Sequence, residues 1–114
     1  MQRDETAYLF DMLIAAQEAE EFASNLTFQR FTRSRLHQKA ILKSIEIVGE
    51  AAAHIDEKTK RANPQIPWQD IISMRNRLVH GYFQVDLERV WDTVQEDIPY
   101  LIELVKPLVS PETK

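Results

Sequence analysis

The chain has no cysteine and only two glycines among its 114 residues. The first absence excludes disulfides and thiolate zinc sites together, which suits a reducing cytosol. The second leaves few positions for tight turns and points to helices. No apolar run approaches the length that spans a bilayer, and the opening MQRDETAY is too acidic for a signal or transit peptide. The chain is therefore expected in the cytoplasm, away from membranes. It carries no glycine-rich phosphate loop, no internal repeat, no low-complexity tract and no strand pattern of note. His37, His54 and His80 show no paired ligand spacing and no Asp/Glu cluster joins them, so neither a metal nor a cofactor is expected.

What is present is the composition of a soluble globular protein, with 44% hydrophobic and 28% charged residues. Residues 1–114 are expected to form a single domain with a modest core of its own. The net charge of −4 does not announce a nucleic-acid binder. Its distribution is uneven, however. Arg30, Arg33, Arg35, Lys39 and Lys43 cluster, Lys58, Lys60 and Arg61 follow, and acid dominates both ends. A locally positive cleft on an acidic protein and a plainly solvated surface both fit this pattern.

Hydrophobic spacing organises the chain into four principal helices. The first starts near Asp4, a suitable N-cap, and buries Tyr8, Met12, Ala15 or Ala16, Ala19 and Phe22. Ser24 to Thr27 favour a break because their side chains compete for backbone hydrogen bonds. A long second helix is expected from about Phe28 to Glu57. Phe31, Ile41, Ile45, Val48 and Ala52 form its apolar face, widened by Leu36, Ala40, Ile47 and Ala51. Along its polar side run Arg35, Lys39, Lys43, Glu46, Glu50 and His54, with Lys43 spaced to pair with Glu46 or Glu50. Gly49 stands mid-helix at a cost of about 1 kcal/mol relative to alanine, which close helix packing would offset.

A polar loop from Thr59 to Pro67 follows, with Pro67 fit for the first turn of the next helix. That third helix should run from about Trp68 to His80 and bury Ile71, Ile72, Met74 or Leu78, and Val79. Asp86 can cap a fourth, whose stripe is Leu87, Val90, Trp91, Val94, Ile98, Leu101, Ile102 and Val105. Pro99 should bend or interrupt it, while Pro107 and Pro111 mark a fraying end. The architecture that follows is all-α, an antiparallel bundle with a fifth helix if Pro99 divides the last one.

The chemistry is concentrated in Met74–Phe83, MRNRLVHGYF. On a helix, Asn76 and His80 fall on one side a turn apart, while Arg75 and His80 lie about 140° apart at about 100° per residue. Gly81 is suited to end the helix just after His80, with Tyr82 beyond. A histidine answering the helix dipole before a glycine stop, between solvated arginines, would produce the same spacing.

The string Arg75-Asn76-Arg77-Leu78-Val79-His80-Gly81-Tyr82 resembles the signature of the HEPN superfamily, an arginine and a polar residue, then a short spacer and a histidine. More narrowly it is similar to HepT-like toxins, whose pattern continues to a tyrosine two residues past the histidine. The likeness extends through Ile47–Ala52 and Val85–Trp91. It implies a helical bundle and a homodimer whose shared groove is a composite, metal-independent endoribonuclease site. It also implies the toxin role in a type VII-like toxin–antitoxin system, with a nucleotidyltransferase antitoxin of the MntA kind that AMPylates Tyr82.

The side chains suit that chemistry. Attack by RNA's own 2′-hydroxyl needs a base, an acid and a cation: histidine serves the first two and arginine's fork the third. Arg75 is expected to stabilise the phosphate, His80 to transfer protons and Asn76 to position them, with Arg77, Glu50 and Lys43 as groove-lining candidates. A competing reading is a non-catalytic helical adaptor that binds a nucleotidyltransferase. An adaptor, however, has no physical need for Arg75, Asn76 and His80 together.

Overall fold

The computed structural model describes residues 5–80 and 84–109, with the backbone alone for His80. The expectations placed on Asp4, Gly81, Tyr82 and Pro111 lie outside the described residues. The chain is an all-α bundle built on two antiparallel 19-residue helices, α1 (Glu5–Ala23) and α3 (Arg35–Ala53). Small residues on α1 let them approach: Ala15, Ala16, Ala19 and Ala23 are buried, along with Leu9, Met12 and Leu13. Phe22, expected in this stripe, is 37% exposed because the buried face passes to Ala19 and Ala23 instead. The open ends are tied as well, for the backbone N–H of Asp56 donates to Glu5 Oε1 at 3.0 Å and Tyr8 stacks on His54.

The expected long second helix is divided at Ser34. Its first part is α2 (Phe28–Arg33), capped by Thr27, whose hydroxyl accepts from the Arg30 N–H. Ser34 takes an extended backbone and its Oγ accepts from the His37 N–H, opening α3. A serine hydroxyl competing for backbone partners is the physical cause. The break turns Phe31 fully inward, with its ring 5.3 Å from that of Trp91. Leu36, expected to widen the apolar face of α3, is 75% exposed just after the break. At the other end α3 stops at Ala53. Asp56 then caps a short α4 (Glu57–Ala62), which runs into the stretch expected to be loop from Thr59. The Thr59 N–H bonded to its carboxylate holds Asp56 below the usual aspartate range.

The expected third helix is likewise two short ones, α5 (Trp68–Ile72) and α6 (Met74–Leu78), separated at Ser73. Pro67 stands at the cap of α5 and not in its first turn. Ile71, Met74 and Leu78 are buried, while Ile72 and Val79 are half-buried. The last rod begins at α7 (Leu87–Asp92), where the Asp86 carboxylate accepts from the Arg89 N–H as a cap. A π-turn over Thr93–Asp97 follows, and then α8 (Ile98–Val105), which packs on α1. Pro99 in the first turn of α8 is the cause: it has no N–H to donate and its ring crowds the turn before it. The wider turn absorbs that conflict without ending the rod. Among the described residues no helix is long and apolar enough to cross a membrane.

Gly49 is where α3 meets α5. A Cβ there would lie 3.1 Å from the Ile71 carbonyl oxygen and 3.6 Å from that of Ile72. Close packing therefore offsets its poor helix propensity, as the sequence suggests. Replacing Gly49 by alanine should gain about 1 kcal/mol of intrinsic helix stability and lose more than that by overpacking against a backbone carbonyl, typically about 1–3 kcal/mol. Thermal denaturation of Gly49→Ala should show a net loss of about 1 kcal/mol; a raised melting temperature would mean that the neighbour simply yields.

Candidate active site

Only five residues make up α6, and its two apolar members, Met74 and Leu78, anchor it in the core. The residues between them, Arg75, Asn76 and Arg77, are all exposed. Two residues apart on a helix means about 200° around the axis, so the arginines diverge. Arg75 turns back to α3, where its Nε donates to Glu46 Oε1 at 3.1 Å. Arg77 turns the other way and donates to the Asp70 carbonyl oxygen at 2.9 Å. There it lines a groove of about 230 Å³ between α5 and α8, with Met74, Asp97, Ile98, Tyr100 and Leu101 among the walls. Asn76 has no side-chain hydrogen bond among the described residues and is open to a ligand.

The expectation that helix continues through His80 is corrected here. The helix closes at Leu78, and Val79 has extended backbone, with φ −125° and ψ 121°. Val79–His80 forms strand β1, antiparallel to β2 (Gln84–Val85), with Val79 opposite Val85 and His80 opposite Gln84. The Asp86 N–H donates to the Leu78 carbonyl oxygen at 2.7 Å, closing the base of this ribbon between α6 and α7. The one-turn relation between Asn76 and His80 therefore does not hold, because a β-branched residue and a cross-strand partner together favour extension. His80 follows α6 on a ribbon closed at its base, and Tyr82 lies outside the described residues.

On α3 the polar stripe is present, with Arg35, Lys39, Lys43, Glu50 and His54 exposed and Glu46 half-buried. Its pairing differs from expectation: Glu46 binds Arg75, and among the described residues Lys43 has no carboxylate within ion-pair distance. Glu50 lies one turn beyond Glu46 and lines a shallow depression with Tyr8, Asp11, Ile47 and His54. Lys43, Glu46 and Glu50 thus share the face of α3 on which Arg75 rests, whereas Arg77 does not reach it. Glu46 as the holder of Arg75 escapes sequence reasoning, since the two are 29 residues apart. Gly49 is the one cue: a close helix contact a turn after Glu46 brings the segment before Arg75 alongside.

The family model for "Ribonuclease HepT-like" proteins matches residues 12–108, which include every element described above except the start of α1. The chain belongs to the HepT-like ribonuclease family. Among its relatives, "Probable ribonuclease HepT" of Thermococcus cleftensis is 41% identical over 101 residues, 89% of this chain and 92% of that one. A protein of Methanocaldococcus jannaschii named a "Putative RNase" is 33% identical over 97 residues, covering 85% of this chain and 89% of its own. Another so named in that organism is 31% identical over 108 residues, 95% and 89% of the two chains. No solved structure matches this HepT-like chain significantly.

With Nε engaged, the two terminal nitrogens of Arg75 make no hydrogen bond among the described residues, and Glu46 sets the plane in which they lie. Both partners are partly exposed, at 54% and 23%, so the pair adds at most about 1 kcal/mol to stability. The pair also fixes the orientation of the guanidinium, and where a reaction depends on such a group a displacement of about 1 Å costs up to about a hundredfold in rate. Glu46→Ala should therefore lower RNA cleavage by at least about tenfold while the melting temperature barely moves, and Glu46→Gln, which keeps an acceptor oxygen, should recover most of it. Equal cleavage by all three proteins would reduce the contact to an ordinary surface pair.

Proposed function

We propose that this HepT-like chain is the toxin of a toxin–antitoxin pair, a metal-independent endoribonuclease acting in the cytoplasm as a homodimer. The observation that carries the reading is the exposed Arg75 guanidinium, pre-aligned by Glu46 and followed five residues later by His80 on the ribbon that leaves α6. Family membership and the names of the relatives support ribonuclease chemistry.

In the reaction, the 2′-oxygen of RNA attacks the adjacent phosphorus, its proton passes to an imidazole, and the P–O5′ bond breaks. A second, protonated imidazole supplies the proton to the departing 5′-oxygen, leaving a 2′,3′-cyclic phosphate and a 5′-hydroxyl. Arg75 compensates the charge that builds on the non-bridging oxygens, and Asn76 positions the phosphate or the imidazole. One chain supplies one His80, so base and acid come from two copies that meet about a twofold axis.

His80→Ala should abolish cleavage, a loss of at least about a hundredfold, with helical circular dichroism unchanged. A folded mutant that still cuts RNA would remove this mechanism.

Control of the toxin is assigned to Tyr82. An AMP added there by a nucleotidyltransferase antitoxin of the MntA kind would place bulk and negative charge where RNA phosphate must enter, so occlusion and repulsion act together. Coexpression with the cognate nucleotidyltransferase followed by mass spectrometry should find AMP on Tyr82, and none on Tyr82→Phe, which should keep most of its toxicity. AMP found on the phenylalanine variant would place the modification elsewhere.

A further inference from the structure

From Phe22 to Ile45 the sequence contains no aspartate or glutamate, in a protein whose net charge is −4. Three of the cations in this interval, Arg35, Lys39 and Lys43, recur every fourth residue along α3 and are exposed. On a helix this spacing puts them on one face at steps of about 6 Å. The next polar position on that face is Glu46, whose charge is met by Arg75. A row of four cations therefore runs from the start of α3 to the guanidinium assigned to the scissile phosphate, about 16 Å along the helix.

Two features distinguish this row from an ordinary solvated face. Among the described residues no carboxylate lies within ion-pair distance of Arg35, Lys39 or Lys43, although Arg75 and Arg89 each have one. The order of charge also opposes the helix dipole: α3 has no acidic residue in its first turn and no basic residue in its last, with Arg35 at its very start. Helix stability does not account for such an arrangement. Past Arg75 the face turns acidic at Glu50, which limits how far a polyanion can follow it.

We infer that α3 is a track for a single RNA strand, in which Arg35, Lys39 and Lys43 hold successive phosphates on one side of the bond that Arg75 addresses. The inference rests on the ribonuclease reading and adds to it a binding site outside the reacting groups. Cations at this step fit the phosphates of an extended strand. Contacts of this kind read no base, so the track confers affinity for single strands without sequence preference.

The test is fluorescence anisotropy with a labelled 2′-O-methyl RNA strand, which lacks the attacking hydroxyl and reports binding alone. Replacing Arg35 and Lys39 by glutamine removes two phosphate contacts, each contributing about 0.7 to the slope of log affinity against log salt. The slope should become shallower by about 1.4 and affinity should fall by about twentyfold at about 0.1 M salt. The control is Lys58→Gln with Arg61→Gln, which removes the same charge from exposed positions on α4 and should leave the slope unchanged.

Unaltered binding by the α3 variant, or equal losses in both variants, would overturn the inference. So would an acidic peptide of matching charge that binds as tightly and depends on the same two residues. Track-dependent binding by a protein that cleaves no RNA would leave the inference standing and remove the ribonuclease reading.

Discussion

The contact between Gly49 and the backbone of α5 decides where the candidate site can be. With a carbonyl oxygen 3.1 Å from the place of a side chain, α3 and α5 meet backbone to backbone. Two short helices that could not persist alone are thereby held on a long one. A turn before Gly49 along α3 stands Glu46, and three residues after Ile72 comes Arg75, so antiparallel passage brings these two together. Met74 and Leu78, buried on either side of Arg75, stop α6 from rolling. The orientation of one guanidinium thus descends from a missing methyl group.

Much of this was legible beforehand wherever the cause is local. Thr27 and Asp86 cap helices as their side-chain chemistry suggests, and the stripe from Val90 to Val105 is buried at helical spacing. Gly49 could be read as a packing contact, though its partner could not. The failures share a cause. The helix ends at Leu78 because Val79 and His80 find partners in Gln84 and Val85 across a ribbon, and Glu46 pairs with Arg75 from another element instead of with Lys43. Ser34 is a different case. Its hydroxyl interrupts what would be one long helix, against an apolar periodicity that runs through it on both sides.

The divergence of Arg75 and Arg77 separates two surfaces that the sequence had merged into one. Arg77 is spent on the Asp70 carbonyl and the groove beside α8. Arg75 faces α3, where its neighbours are the stripe that begins at Arg35. An alternating pair of arginines in five helical residues therefore performs two tasks. One braces α5 against α6, and the other is held on α3 by Glu46 with its guanidinium exposed.

That division bears on how an acidic protein can handle an acidic polymer. A net charge of −4 repels RNA at long range, and over distances beyond about 8–10 Å salt screens the repulsion at physiological strength. Within that range only the local row matters, and there the cations of α3 face outward with no carboxylate among the described residues to satisfy them. Placing positive charge at a helix start costs about 0.3–1 kcal/mol per group, a penalty that Ser34 as the cap partly offsets. On the reading that α3 holds RNA, the phosphates it binds offset the stability cost of cations that have no carboxylate partner among the described residues, and the acid at Glu50 closes the row at the end where the reacting phosphate would lie.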